Sequence, residues 1–101
     1  MKRGELWTVS GAGYAVIVQD DRFDATLSIT VCVFTTDETE APLFRLPVTP
    51  SERNGLRSVS RLMVDKLTTV SKERLGERIG RLDDEDVVRL NRAILVFLGL
   101  A

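Results

Sequence analysis

The sequence predicts a small α+β or β-barrel fold, with about six or seven short strands followed by one C-terminal helix. Three observations predict it. Short apolar runs rich in β-branched residues succeed one another through most of the chain, each bounded by Gly, Pro, Asp or Asn. Only the last segment changes to helical spacing. A length of 101 residues suits one compact domain over 1–101, and no repeat, low-complexity tract or linker divides it.

Glu5 to Val9 reads as the first strand, Ser10-Gly11-Ala12-Gly13 as a turn, and Tyr14 to Gln19 as a second strand, together a hairpin. After the polar stretch Asp20 to Thr26 comes Ser28 to Phe34, apolar on both faces of the pleat and therefore expected in the middle of the sheet. Thr35 and Thr36 end it, and the acidic loop Asp37 to Glu40 reads as a solvated hairpin tip. In Leu43 to Val48, Phe44, Leu46 and Val48 share one face, while Pro47, which lacks an N–H, suggests an edge strand. Pro50 to Gly55 is dense in turn formers, with Asn54-Gly55 favouring positive φ. Two further short strands are expected at Ser58 to Val64 and around Leu67 to Val70. Ser71 is placed to cap a brief helical turn through Leu75, and Arg78 to Leu82 returns as a strand. From Asp83, acidic residues fill a first helical turn, and Val87, Leu90, Ile94, Phe97 and Leu98 form a stripe over a helix at 83–98, with Phe97 and Leu98 expected in the core and dimer contact the other option.

Composition narrows the chemistry. There is no histidine, so histidine-based triads and zinc sites cannot be built. The single Cys32 lies within the apolar run Ile29 to Phe34 and reads as a buried, inert thiol. Catalysis, if present, falls to hydroxyls, carboxylates, arginines or lysines. With 44% apolar and 29% charged residues, no apolar run near the roughly 20 residues a membrane span needs, and no signal-peptide pattern after Met1-Lys2-Arg3, the chain reads as soluble and cytoplasmic, with no membrane partner. The net charge of −1 conceals an asymmetry: residues 1–50 carry 4 basic and 7 acidic side chains, residues 51–101 carry 10 and 8. A polyanion would therefore meet a local cluster of cations and not a uniformly basic surface.

Three segments, in order, resemble the MazF/PemK/Kid-type toxin family, the ribonucleases of bacterial toxin–antitoxin pairs. Arg3-Gly4-Glu5-Leu6-Trp7 is similar to the family's opening R-G-[DE]-[IVL]-[WY] strand. Ala15-Val16-Ile17-Val18-Gln19-Asp20 and Val31-Cys32-Val33-Phe34-Thr35-Thr36 resemble its second and third strands. Lys72-Glu73-Arg74-Leu75, Ile79-Gly80-Arg81-Leu82 and Asp83-Asp84-Glu85 resemble its C-terminal block. The likeness spans essentially the whole chain. It implies an SH3-like barrel, a homodimer, inhibition by a cognate antitoxin with a flexible tail, and sequence-specific cleavage of single-stranded RNA with no metal or other cofactor. In that chemistry the RNA's own 2′-hydroxyl attacks the adjacent phosphorus, leaving a 2′,3′-cyclic phosphate and a 5′-hydroxyl.

By position, the resemblance carries the family's catalytic threonine onto Thr35. Thr36, Arg57, Ser58 and Arg61 are expected RNA contacts, and Trp7 and Tyr14 expected antitoxin or dimer contacts. Thr35 also has a plain reading, as a strand end bonded to nearby backbone. One feature departs from the pattern: the family carries a longer loop between its first two strands, ending in Arg-Pro. Here Gly13-Tyr14 runs directly into Ala15-Val16, and no residue matches that arginine. A chain this short is expected to keep the fold and antitoxin binding but to cleave RNA poorly. Two other functions stand beside the nuclease: a catalytically silent module of the same fold, poisoning gyrase or titrating an antitoxin, and a generic SH3-like interaction domain.

Overall fold

The computed structural model describes residues 1–41 and 43–101. Six strands form one sheet: β1 (Glu5–Val9), β2 (Gly13–Ile17), β3 (Ser28–Thr35), β4 (Arg45–Val48), β5 (Ser60–Ser71) and β6 (Leu75–Arg81). They pair antiparallel throughout in the order β4-β5-β3-β2-β1-β6, so β4 and β6 are the ends of the ladder. Helix α1 (Asp84–Phe97) follows, with Asp83 at its N-cap. Single 3₁₀ turns occupy Asp21–Phe23 and Lys72–Arg74, the second capped by the Ser71 hydroxyl, which accepts from the Glu73 N–H. No helix among the described residues is long and apolar enough to cross a membrane.

The sheet carries a core on each face. Leu6, Val16, Cys32, Phe34, Leu62 and Val64 gather beneath α1 with Leu82, Leu90 and Ala93. Ala15, Ile17, Ile29, Val31, Val33 and Val70 form the core of the opposite face. β3 contributes to both, alternating residue by residue, and pairs with β2 on one side and β5 on the other, as an all-apolar strand must. β4, which carries Pro47, pairs only with β5.

Two expectations need correction. The strands anticipated at Ser58 to Val64 and Leu67 to Val70 are one 12-residue strand. Between Cys32 and Phe34 its register against β3 shifts, so Cys32 faces Leu67 while Phe34 faces Leu62. This bulge reverses the strand's apolar phase, and the reversal mimics a strand boundary in the sequence. Phe97 and Leu98 are not core residues: they are 46% and 54% exposed, and within α1 only Leu90 and Ala93 are buried. In the last turn Ile94 still packs against the core, whereas Phe97 keeps a tilted contact with the Phe44 ring and is otherwise turned to solvent.

The segment joining β4 to β5 is organised by a fully buried side chain, Asn54. Its Oδ1 accepts from the backbone N–H of Ser51 at 3.0 Å and of Leu56 at 2.9 Å, and its Nδ2 donates to the Thr49 carbonyl at 2.9 Å. A buried amide is tolerated because both its oxygen and its nitrogen find partners. The segment then packs directly on β6, where a side chain at Gly80 would place its Cβ 2.5 Å from the backbone of Arg53 and Asn54. Only glycine permits that approach.

Candidate functional site

Charge separates three of the clefts among the described residues. The largest, about 650 Å³, lies at the start of α1 against Asp83, Asp84, Glu85 and Asp86, with Arg89 the single cation. Such a rim repels phosphates. A second, about 480 Å³, is lined by Arg3, Asp20, Asn91, Ile94 and Leu95, and its arginine is already bonded to the Val18 carbonyl and to Asn91 Oδ1. The third, about 340 Å³, brings together Tyr14, Thr35, Thr36, Arg57 and Ser58. Most of the residues singled out from the sequence therefore converge here, although they come from distant parts of the chain.

Each wall has a local cause. The β2–β3 register, Ala15 opposite Val33, continues to set Gly13 beside Thr35 at the end of the sheet. The hairpin before it is tight: Val9 pairs with Gly13, the Ala12 N–H donates to the Val9 carbonyl at 3.0 Å, and Gly11 takes φ 80°, a value open to glycine at little cost. Arg74 braces this turn through two N–H bonds to the Ser10 carbonyl, at 3.1 and 2.7 Å, and its own carbonyl accepts from the Ser10 N–H. The opposite wall is Leu56, Arg57, Ser58 and Ser60. Leu56 is anchored in the core and by Asn54, and the Ser60 hydroxyl donates to the Ser58 carbonyl at 3.2 Å.

Thr35 sits between the walls, half-buried, and its Oγ1 accepts from the Asp37 N–H at 3.1 Å. The plain reading of this residue thus describes a real bond. Because that bond uses an oxygen lone pair, the hydroxyl proton stays available for donation into the cleft. The Thr39 hydroxyl and backbone N–H hold the Asp37 carboxyl below its ordinary range, keeping it anionic beside the site.

Two expected contacts, Arg61 and Trp7, lie outside the cleft, and Cys32 is buried as expected. Arg61 is opposite Thr35 in the β3–β5 ladder but does not line the cleft; its guanidinium donates to the Asp37 carbonyl at 3.3 Å and pairs with Glu40 at 3.7 Å. The acidic loop is solvent-exposed, as expected, and is also tethered by Arg61. Trp7 packs on the β-face core and donates from Nε1 to Glu5 Oε1 at 3.2 Å. Cys32 is fully buried, and burial pushes its thiol up to about 12, so it takes no part. Asn54, which positions the Arg57 wall, was legible in the sequence only as a turn former, because nothing in the local pattern marks its burial.

The family described as PemK-like, MazF-like toxin of type II toxin–antitoxin system matches residues 2–98. A curated relative, the probable endoribonuclease MazF of Mycolicibacterium smegmatis, is 49% identical over 108 aligned positions, covering 100% of this chain and 99% of its own length. That alignment is longer than the 101-residue chain, so the relative carries residues this chain lacks. Among solved structures, an endoribonuclease in complex with its cognate antitoxin from a mycobacterial species superposes with a TM-score of 0.85 at 24% identity, covering 100% of this chain and 97% of the other. MazF from Deinococcus radiodurans, solved with MazE, superposes with a TM-score of 0.82 at 15% identity, covering 100% and 98%. At those identities the likeness speaks for the fold.

Proposed function

The chain belongs to the PemK-like, MazF-like toxin family of type II toxin–antitoxin systems, and on that premise we propose that it is an endoribonuclease that cuts single-stranded RNA and is held in check by a cognate antitoxin. The observation that carries the reading is the strand-end hydroxyl of Thr35 opening into a cleft that also holds a guanidinium, Arg57. The reaction asks little covalent chemistry of the protein. The RNA 2′-oxygen bonds to phosphorus as the P–O5′ bond breaks; the 2′-hydroxyl proton passes to solvent and the 5′-oxygen takes one up. What remains is to orient the phosphate and to stabilise the charge growing on its non-bridging oxygens.

In this reading Thr35 donates to a non-bridging oxygen, while Thr36 and Ser58 position the strand. Tyr14, 37% exposed at the cleft, offers a stacking face to a base or to an antitoxin side chain. Arg61 acts by holding the Asp37–Glu40 loop. The uncovered apolar end of α1, with Leu95, Phe97 and Leu98, supports a homodimer.

A long RNA incubated with purified protein in EDTA tests the proposal. Cuts at a short recurring sequence, with 5′-hydroxyl ends, support it, and Thr35→Ala is expected to slow them about 10²-fold or more, as loss of a donor to a developing oxyanion does. Uncut RNA would favour a second reading, a silent antitoxin-binding module. The observation behind that reading is the braced Ser10–Ala12 turn, which has no cation where the family's Arg-Pro loop stands.

A further inference from the structure

We propose that Arg57 supplies the positive charge that stabilises the transition state at this cleft, making it a catalytic residue and not merely a contact for RNA; the inference rests on the nuclease reading above. A phosphodiester enters with one negative charge and gains more on its oxygens as the 2′-oxygen attacks, so neutral donors alone leave the added charge uncompensated. Among the described residues lining the cleft, Arg57 is the single cation, beside the hydroxyls of Thr35, Ser58 and Ser60.

The arginines that flank it in the chain and the ladder are committed. Arg53 pairs with Asp84 at 3.1 Å, Arg45 with Asp65 at 2.8 Å, and Arg61 with the Asp37 carbonyl and Glu40. Across the cleft the Ser10–Ala12 turn has no charge, and the guanidinium that touches it, Arg74, is bound to the Ser10 carbonyl. Arg57 makes no ion pair or side-chain hydrogen bond with another described residue, so its full fork of donors is open to a phosphate.

Its root is rigid although its head is free. Leu56, the preceding residue, is 6% exposed, and its N–H is fixed by the buried Asn54. The backbone of Ser58 is held by Ser60. A fixed backbone with an unengaged guanidinium over a hydroxyl-lined cleft is the arrangement that electrostatic preorganisation requires.

The test compares wild type, Arg57→Ala, Arg57→Lys and Thr35→Ala on one long RNA in EDTA, under single turnover and with saturation curves. Arg57→Ala is expected to reduce the rate at saturating RNA about 100-fold, with the half-saturating concentration changing less than about 3-fold. Millimolar guanidinium ion should restore part of the rate to Arg57→Ala and none to Thr35→Ala, while Arg57→Lys falls between. Melting temperatures matching wild type exclude a folding defect, since the side chain is exposed. An Arg57→Ala enzyme as fast as wild type at saturation while Thr35→Ala is dead, or one whose loss lies wholly in RNA affinity, overturns the assignment and leaves the nuclease reading standing. Wild-type protein that leaves RNA uncut overturns both.

Discussion

Replacing Asn54 with alanine removes one side chain and three hydrogen bonds to backbone, those to Ser51, Leu56 and Thr49. A typical intramolecular hydrogen bond contributes about 0.5–1.5 kcal/mol net, and a buried group left unpaired costs more. The Leu56 N–H is buried and would be left without the Asn54 oxygen, whereas Ser51 is half-exposed and regains water. The expected loss is therefore about 2–4 kcal/mol. In a domain of this size each kcal/mol moves the melting temperature by roughly 4–8 °C, so a drop of about 10–25 °C should appear in a calorimetric or circular dichroism melt. The same variant, assayed cold enough to stay folded, should also cleave RNA more slowly, because the Arg57 wall has lost its anchor. A melt displaced by less than about 4 °C would refute the view that this amide organises the segment.

Two other outcomes follow from groups with displaced titration. The Arg45 guanidinium donates two bonds to Asp65, at 2.8 and 3.1 Å, and holds that carboxyl below its ordinary range. A depressed carboxylate contributes stability above its unfolded value and loses it as pH falls through the folded one. Asp65→Asn should therefore flatten the decline in unfolding free energy below about pH 4, and parallel declines in urea titrations of variant and wild type would contradict this. Cys32, its thiol raised by burial first and by the charge of Asp65 second, should resist an aromatic disulfide reagent at pH 8 until denaturant is added. Stoichiometric labelling of the folded protein within minutes would show that the sheet opens there.

Much of the fold was legible because its signals are local. The bounds of the first strand, the edge position of the Pro47 strand, the centrality of the all-apolar strand and the Ser71 cap each follow from residue type and spacing. The errors arise where tertiary geometry overrides a local pattern. A bulge in β5 looks like a gap between strands, and a stripe on α1 continues past the end of the surface it was read as covering. In the site, Thr35, Arg57 and Ser58 are singled out by the family resemblance, since a threonine at a strand end or an arginine beside a serine carries no chemical signal of its own. Arg61 has the right type and register but is drawn off by Asp37 and Glu40, carboxylates and carbonyls whose position depends on a loop path no periodicity encodes.

The double-faced burial of β3 has a consequence for accuracy of assembly. Sliding that strand by one residue, about 3.3 Å, would exchange Val31 and Val33 for Cys32 and Phe34, and oil would still meet oil on either side. Hydrophobicity is blind to the mistake, yet the slip would turn the Thr35 hydroxyl away from its cleft. Proofreading falls to polar contacts near the strand's far end: the hydroxyls of Thr30 and Thr69, 2.7 Å apart, and the Thr30 N–H, which donates to Gln19 Oε1 at 3.1 Å. A threonine and a glutamine at one end of the strand thus keep the cleft-lining end in phase.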